Sequence, residues 1–455
     1  LLTVRTTGVN PAALHAVRQA VTAACLAPAV ALLAWSAPAV AAAGVSAWYP
    51  YAVLVLTAAA LGLAYARYED PARYEATAAP GAEGISAAPA LPATPTVSLL
   101  LAVRNDAAGV PAVVRALADT DYAALEIIVV DDGSTDGTAE VLDALAADLP
   151  LAVLRLDRPL GRRGALRHAA GHATGDLLAF VGDRCLVAPD AVRRCVHALV
   201  RRPDLGAVGG HTRARNAAEN ALTRAQDAWS EGRYRVGLAA AAAFGAATDL
   251  PGGLAVYRRD AVYNYLPAWS AGRPLAALVL GQPWTGRRLK DRHADSPFVH
   301  QADHPERAWR VGYVRSAKVF APAPERPLAF AAQVLRRTAA TVRAARFTGA
   351  FVWRRGPGAA AVYYGRLAGV LATPAAAGWH LLFAPARGHW APAAFYLAGA
   401  ALSGAAYGVA AALERPAAGW AYRPLMSVLA AVLAPLLPAY AMIRRVLGAR
   451  RRVWG

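Results

Sequence analysis

The stretch EIIVVDDGSTDGTAEVL, residues 126–142, decides the fold. Its β-branched apolar run reads as a buried strand, two adjacent carboxylates end that strand, and Gly, Ser and Thr lead into a helix. A turn with a helix N-cap would use these residue types too, but a cap needs one acid. The second acid points to a ligand.

Working outward, VSLLLAVRN at 97–105 reads as another buried strand, followed by a helix through Val110 to Leu117. LAVLRL at 151–156 reads as a third strand, GRRGALRHAAGHATG at 161–175 as a helix, and DLLAFVGD at 176–183 as a strand ending in an acid. Strands alternating with helices at this spacing predict an α/β domain, a mostly parallel, Rossmann-like sheet with helices on both faces. Ligands of such sheets bind at the carboxyl ends of the strands. Asp131, Asp132 and Asp183 would therefore meet at one edge although about fifty residues separate them in the chain.

The flanks have a different composition. No charged residue occurs between Gln19 and Ala66, and apolar runs recur near 367–386, 391–413 and 424–443, each close to the ~20 residues of a bilayer span. The expected organisation is a transmembrane hairpin at 1–70, a linker at 71–95, a globular domain at 96–322, amphipathic interface helices at 323–357, transmembrane helices at 358–443 and a basic tail at 444–455. Arg5, Arg18, Arg67 and Arg73 flank the first two spans, which places the globular domain in the cytoplasm of a multi-pass inner (plasma) membrane protein. Three further spans would put Arg444, Arg445 and Arg450 to Arg452 outside, so 424–443, with Pro424, Pro435 and Pro438, is the segment least suited to a simple span.

A net charge of +18 invites a nucleic-acid reading, but no basic stripe interleaved with aromatics supports one. Positive-inside topology, anionic lipid headgroups and a phosphate-bearing substrate account for the charge better. Cys25, Cys185 and Cys195 have neither metal-site nor disulfide spacing and fit a reducing compartment. Pro251, Gly252 and Gly253 suit a close backbone approach to a ligand, and Trp229 reads as core. No Walker loop, serine elbow or zinc-protease motif is present.

In order, VSLLLAVRND, EIIVVDDGSTDGT, ALRHAAGHATGDLLAFVGD, LGAVGGHTRARN, GGLAVYRRDAV and QVLRR at 333–337 resemble the inverting family 2 glycosyltransferases, especially membrane-embedded processive synthases of the hyaluronan, chitin and cellulose type. The resemblance covers about 95–340 and implies a GT-A fold inserted between transmembrane helices. It implies a UDP-sugar donor bound by Asn105, Asp131, Asp132, Asp183, Arg184, Gln333 and Arg336, with Asp106 nearby on the first loop. Asp183 would also contact a divalent ion, Mg²⁺ or Mn²⁺, that neutralises the leaving diphosphate. Arg336 would pair with that diphosphate, for which a guanidinium is well shaped, and the helix 327–347 would serve as a membrane-surface face in either case.

Three positions depart from the family pattern. The metal motif has one carboxylate of two, with Arg184 beside Asp183; Arg337 stands where the family has Trp; and TGRRLKDR at 285–292 has Thr285 and Gly286 in place of the two acids that supply the base. Asp291, His293 and Asp295 are the candidates for a displaced base, and HADSPFVHQADHPERA at 293–308 reads as an inserted loop. The favoured function is transfer of a sugar from a UDP-sugar to a growing polysaccharide or lipid-linked acceptor. A second reading is a non-catalytic, nucleotide-binding partner of another membrane protein. In a third, catalysis persists with the base supplied by substrate or by Asp291.

Overall fold

The computed structural model describes residues 94–293, 295–300, 307–414 and 422–433, together with 66–73, isolated positions between 55 and 62, and 436. The first expected span lies outside the described residues, as does most of the second, the core of the 71–95 linker, the end of the third C-terminal span and the basic tail.

Eight strands form one sheet in the order β3-β2-β1-β4-β7-β6-β8-β5. They are β1 (Val97–Val103), β2 (Leu125–Asp131), β3 (Ala152–Arg155), β4 (Leu177–Val181), β5 (Leu186–Val187), β6 (Leu205–Ala214), β7 (Leu254–Arg258) and β8 (Arg310–Ala321). The first four strands in this order pair in parallel, as the sequence predicts. Beyond β4 the sheet is mixed: β7 runs antiparallel to both β4 and β6, β8 is parallel to β6, and β5 antiparallel to β8. The mostly parallel expectation is thus corrected for the second half. β7 enters the sheet from the ligand edge, its Leu254 lying beside Val181 at the end of β4.

Every residue of β1 and β4 is buried, because apolar layers cover both faces of the sheet. One layer holds helix α1 (Val110–Ala118), α2 (Thr138–Asp148) and α4 (Ala191–Arg201). The other holds α3 (Arg162–His172) and the first half of α6 (Leu275–Arg292), together with a long helix that begins as α5 (Ala221–Gly232), widens into a π-turn at Arg233–Leu238 and ends at Ala243.

The strand ends remote from the acids are tied together by one side chain. Glu126 accepts hydrogen bonds from the Ser98 hydroxyl, from Thr174 N at 2.6 Å and from Gly175 N at 3.0 Å. Residues 68–70 belong to this domain and not to the preceding hairpin: Tyr68 OH donates to Tyr313 O at 3.0 Å, and Asp70 Oδ2 accepts from Ser316 N at 2.7 Å.

After β8, α7 (Pro327–Gly349) occupies the expected interface-helix region, followed by α8 (Pro357–Gly378), which continues through a π-turn to Ala386, α9 (Ala391–Glu414) and α10 (Tyr422–Leu433). Among the described residues one helix, the 30-residue Pro357–Ala386, is long and apolar enough to cross a membrane. The several spans expected from composition reduce to that one in the described residues.

Burial pushes the Glu126 carboxyl up, but the three donors outweigh it and hold it below 4.5. A depressed carboxyl contributes stability above its unfolded pKa and loses it as pH falls through the folded one. Thermal unfolding of Glu126→Gln should therefore show a lower Tm than wild type at pH 7 and a gap that closes below pH 4.5; a gap constant with pH would refute this role for the charge.

Candidate functional site

The loops that follow β1, β2 and β4 converge at one edge of the sheet and are fastened to each other. Asn105, in the left-handed region at φ 49°, accepts from Thr135 N at 2.9 Å through Oδ1, while its own N donates to Ser134 Oγ at 3.0 Å. Asp106 N donates to Thr138 Oγ1 at 3.0 Å, and Ala107 N to Asp136 Oδ2 at 3.3 Å. The first two loops are therefore one unit, rigid before any ligand arrives.

The paired acids divide their work. Asp131 Oδ1 accepts from Ser134 N at 3.0 Å and from its hydroxyl, which closes the turn and leaves Oδ2 without a partner among the described residues. Asp132 is fully buried, and its two oxygens accept from the consecutive amides of Leu160 at 2.6 Å and Gly161 at 2.8 Å. A carboxylate suits this place because those amides open α3, where unpaired N–H groups and the helix dipole favour negative charge. Gly161 has φ 79°, a conformation that side chains with a Cβ rarely adopt, so the two amides can face one carboxylate. Asp132 thus positions α3, and Asp131 is the member of the pair with an oxygen to spare.

Holding α3 places Arg162, whose Nη2 donates to Val181 O at 3.2 Å and to Gly252 O at 3.3 Å across the ends of β4 and β7. Asp183 and Arg184 follow β4. Arg184 Nε stands 3.5 Å from Asp106 Oδ2. Burial raises the Asp106 carboxyl, Arg184 opposes this, and the neighbouring charges of Asp183 and Asp136 add to the rise. The buried thiol of Cys185 is pushed up to about 11 by burial and feels Arg162, Asp183 and Arg215. The Cys185 thiol thus lies within electrostatic reach of Arg162, Arg215 and Asp183, and Arg184 follows Asp183 in the chain and pairs with Asp106.

Among the described residues two buried nitrogens at this edge, Arg104 Nε and Arg162 Nε, have no hydrogen-bond partner, and Asp106 Oδ2 is met only by the Arg184 ion pair. Buried polar atoms are ordinarily paired, so orphans gathered at strand ends mark where a polar ligand would bind. Among the described residues no group of three His, Cys, Asp or Glu side chains could hold a metal. Asp106 and Asp183 are a pair of carboxylates, a set that suits a hard cation only when further oxygens come with the ligand.

The structure does not bring every predicted site residue here. Gln333 and Arg336 lie on α7 after β8, with Arg336 exposed. Asp291 is exposed in the last turn of α6, and His293 caps that helix through its backbone N–H to Lys290 O. Phe298, three residues beyond Asp295, packs against Gly171 and Tyr263, at the sheet end opposite Asp183. Among the described residues no hydrogen bond or ion pair joins Asp291, His293 or Asp295 to the strand-end loops. Trp229 packs edge-on against Phe330, as a core residue would. Sequence reasoning missed Arg162 and Arg215; the first carried a signal in GRRG directly after a strand, the second none.

Residues 98–266 match the family model described as "Glycosyl transferase family 2". The chain is 29% identical over 266 residues to an N-acetylglucosaminyltransferase of Azorhizobium caulinodans, covering 56% of this chain and 62% of that protein. It is 33% identical over 235 residues to an N-acetylglucosaminyltransferase of Rhizobium leguminosarum bv. viciae, covering 50% of this chain and 51% of the relative. The chain thus spans about half to three fifths of the length of these curated relatives. Among solved structures, a mannosyltransferase from Pyrobaculum calidifontis in complex with GDP-Man and Mn²⁺ aligns at TM-score 0.49 and 21% identity, covering 86% of this chain and 99% of that one.

The division of labour between the acids is open to test. Asp132→Asn should lower Tm markedly, since hydrogen bonds to a charged group contribute ~1.5–3 kcal/mol each, whereas Asp183→Asn, half-exposed at a loop, should leave Tm nearly unchanged. Equal effects in a thermal melt would remove the distinction.

Proposed function

Residues 98–266 form a family 2 glycosyltransferase domain, and from that premise we propose that the chain transfers a sugar, with inversion, from a UDP-sugar to a growing polysaccharide or lipid-linked acceptor at the cytoplasmic face of the plasma membrane. The observation that carries the reading is the preassembled strand-end edge, where the loops after β1 and β2 are stitched together, buried polar atoms of Arg104 and Arg162 lack hydrogen-bond partners among the described residues, and Arg184 pairs with Asp106 beside Asp183. Asp131 Oδ2 and Asn105 would serve the polar atoms of the nucleoside. Arg162, Arg184 and Arg215 would face the diphosphate, with Gln333 and Arg336 closing over it from α7. Guanidinium groups fit phosphate oxygens through paired N–H donors.

A divalent ion, Mg²⁺ or Mn²⁺, would be held by Asp183 and Asp106 with phosphate oxygens and water completing its shell. It would supply charge neutralisation at the leaving diphosphate. Membrane integration draws support from the 30-residue apolar helix and from large exposed apolar side chains on the C-terminal helices, including Leu371, Trp379, Leu382 and Phe395.

One observation favours a non-catalytic, nucleotide-binding partner protein instead. At the family's base positions, the Thr285 hydroxyl donates back to Gly281 O at 2.9 Å and Gly286 is buried within α6. Neither residue can take a proton from an acceptor.

The deciding experiment measures UDP release from a panel of UDP-sugars by the purified chain in nanodiscs, with Mg²⁺ or Mn²⁺, beside Asp183→Asn. The transferase reading expects acceptor-dependent release that falls by a factor of at least about ten in the variant, equivalent to ~1.4 kcal/mol. Tight UDP binding without release would establish the partner reading. Release unaffected by Asp183→Asn would refute the site.

A further inference from the structure

We propose that Tyr68 and Asp70 are positioning residues for the ligand edge: from the open side of β8 they hold a bulge whose far limb carries β5, and so set where the turn of Asp183 and Arg184 stands. The inference rests on the transferase reading above for what that turn binds.

The strand β8 changes register beside β6. Gly209 pairs with Tyr313 and His211 with Lys318, so β6 advances two residues while β8 advances five, and three are extra. The bulge runs from Val314 to Ala317, and both of these residues are fully buried, so it is built into the core. An odd number of extra residues matters because side chains alternate between the faces of a strand. If β8 closed up by three, the fully buried Val319 would turn out of its apolar layer.

Beyond the bulge, Val319 and Phe320 pair with Val187 and Leu186, the two residues of β5, and Lys318 O accepts from Ala188 N at 3.0 Å. β5 is the last strand of the sheet, and it begins two residues after Arg184. On the other side of the turn, Gly182 N donates to Gly253 O at 3.1 Å. Asp183 and Arg184 are thus slung between two anchors, and the second is as firm as the far limb of β8.

Since β5 pairs with two residues of β8, the bulge has no strand beside it among the described residues. Main-chain groups on such an edge need other partners. Side chains from the segment before β1 supply them. Tyr68 OH donates to Tyr313 O at 3.0 Å and accepts from Arg315 N at 3.2 Å, and Asp70 Oδ2 accepts from Ser316 N at 2.7 Å. The Arg315 guanidinium lies over the Tyr68 ring, 4.8 Å from its centroid. Asp70 Oδ1 accepts from Ala72 N at 3.1 Å, which turns the segment. Tyr68 is buried in one apolar layer and Ala72 packs against the other, so the segment passes the edge of the sheet at the bulge.

His211 closes the same bulge from within. Its backbone pairs with Lys318, beyond the bulge, while its ring bonds the hydroxyl of Tyr313, before it, and Glu231 at 3.1 Å. A segment that merely shielded an edge would need no particular groups. Tyr68 and Asp70 instead meet three main-chain atoms between Tyr313 and Ser316, where the register toward β5 is decided.

The test uses Tyr68→Phe, which removes the hydroxyl, and Asp70→Asn, which leaves one acceptor oxygen for two donors, in the full chain in nanodiscs. In hydrogen exchange, the amides of residues 186–188 should exchange at least about tenfold faster than in wild type, with those of β1 and β2 unchanged. In calorimetric titration with UDP and Mn²⁺, Kd should rise about fivefold, the size of one hydrogen bond lost at a distance. That rise should vanish in an Asp183→Asn background, because displacing the turn costs nothing once its carboxylate is gone. Glu126→Gln, which loosens the opposite end of the sheet, should leave UDP affinity unchanged. Wild-type exchange at 186–188 in both variants would overturn the proposal. So would an equal loss of UDP affinity with and without Asp183, or the same loss in Glu126→Gln, since either marks general destabilisation. Should Asp70→Asn fold poorly, Tyr68→Phe, which removes a single oxygen, carries both readouts. Absence of UDP binding in wild type would be failure of the transferase reading itself, and exchange at 186–188 then still decides whether Tyr68 and Asp70 hold β5.

Discussion

The architecture of the site hangs on the hold of the Asp132 carboxylate on the amides of Leu160 and Gly161. A fully buried carboxylate is costly unless its charge is met by donors. Here the donors are backbone groups at the start of a helix, which have no partner of their own within it. The acid and the helix end satisfy each other, and the end of β2 is locked to the beginning of α3. Arg162 is then placed across the ends of β4 and β7.

The same economy recurs at the opposite end of the sheet, where Glu126 gathers Ser98, Thr174 and Gly175. One acid per end, fully buried in Asp132 and partly buried in Glu126, accepts from chain segments that arrive from other elements. Between these two points the strands are apolar on both faces and need only fit. The loops at the ligand edge can then carry polar atoms without a hydrogen-bond partner among the described residues, such as Arg104 Nε and Arg162 Nε, because their backbone positions are fixed elsewhere. Unsatisfied groups are tolerable where the scaffold that bears them is not in question.

The sequence makes the first half of the sheet legible because parallel strands buried on both faces are written as unbroken apolar runs, and VSLLLAV, EIIVV and LLAFV are such runs. The acids at their ends follow from the rule that ligands gather at strand termini. The antiparallel insertion of β7 was not legible, since LAVYR carries no mark of its direction, and direction is set by where residues 246–253 cross the sheet. The roles of Asp131 and Asp132 were also hidden: adjacent acids look alike in sequence, and only the arrival of Gly161 beside one of them separates a structural carboxylate from one with an oxygen to spare. Asp291, His293 and Asp295 follow the TGRRLKDR motif in the chain, and among the described residues no hydrogen bond or ion pair joins them to the strand-end loops.

Arg233, Arg337 and Arg366 show the converse. Nothing in the sequence links a residue after α5, one on the interface helix and one on an apolar helix, since arginine is the chain's usual cation and each reads alone as a surface charge. Arg233 opens the π-turn and pairs with Asp249, and Arg337 and Arg366 lie within electrostatic reach of both. An arginine in the early turns of an apolar helix costs free energy unless something anionic meets it. Asp249 is the acid among the groups that act on Arg366 most strongly among the described residues.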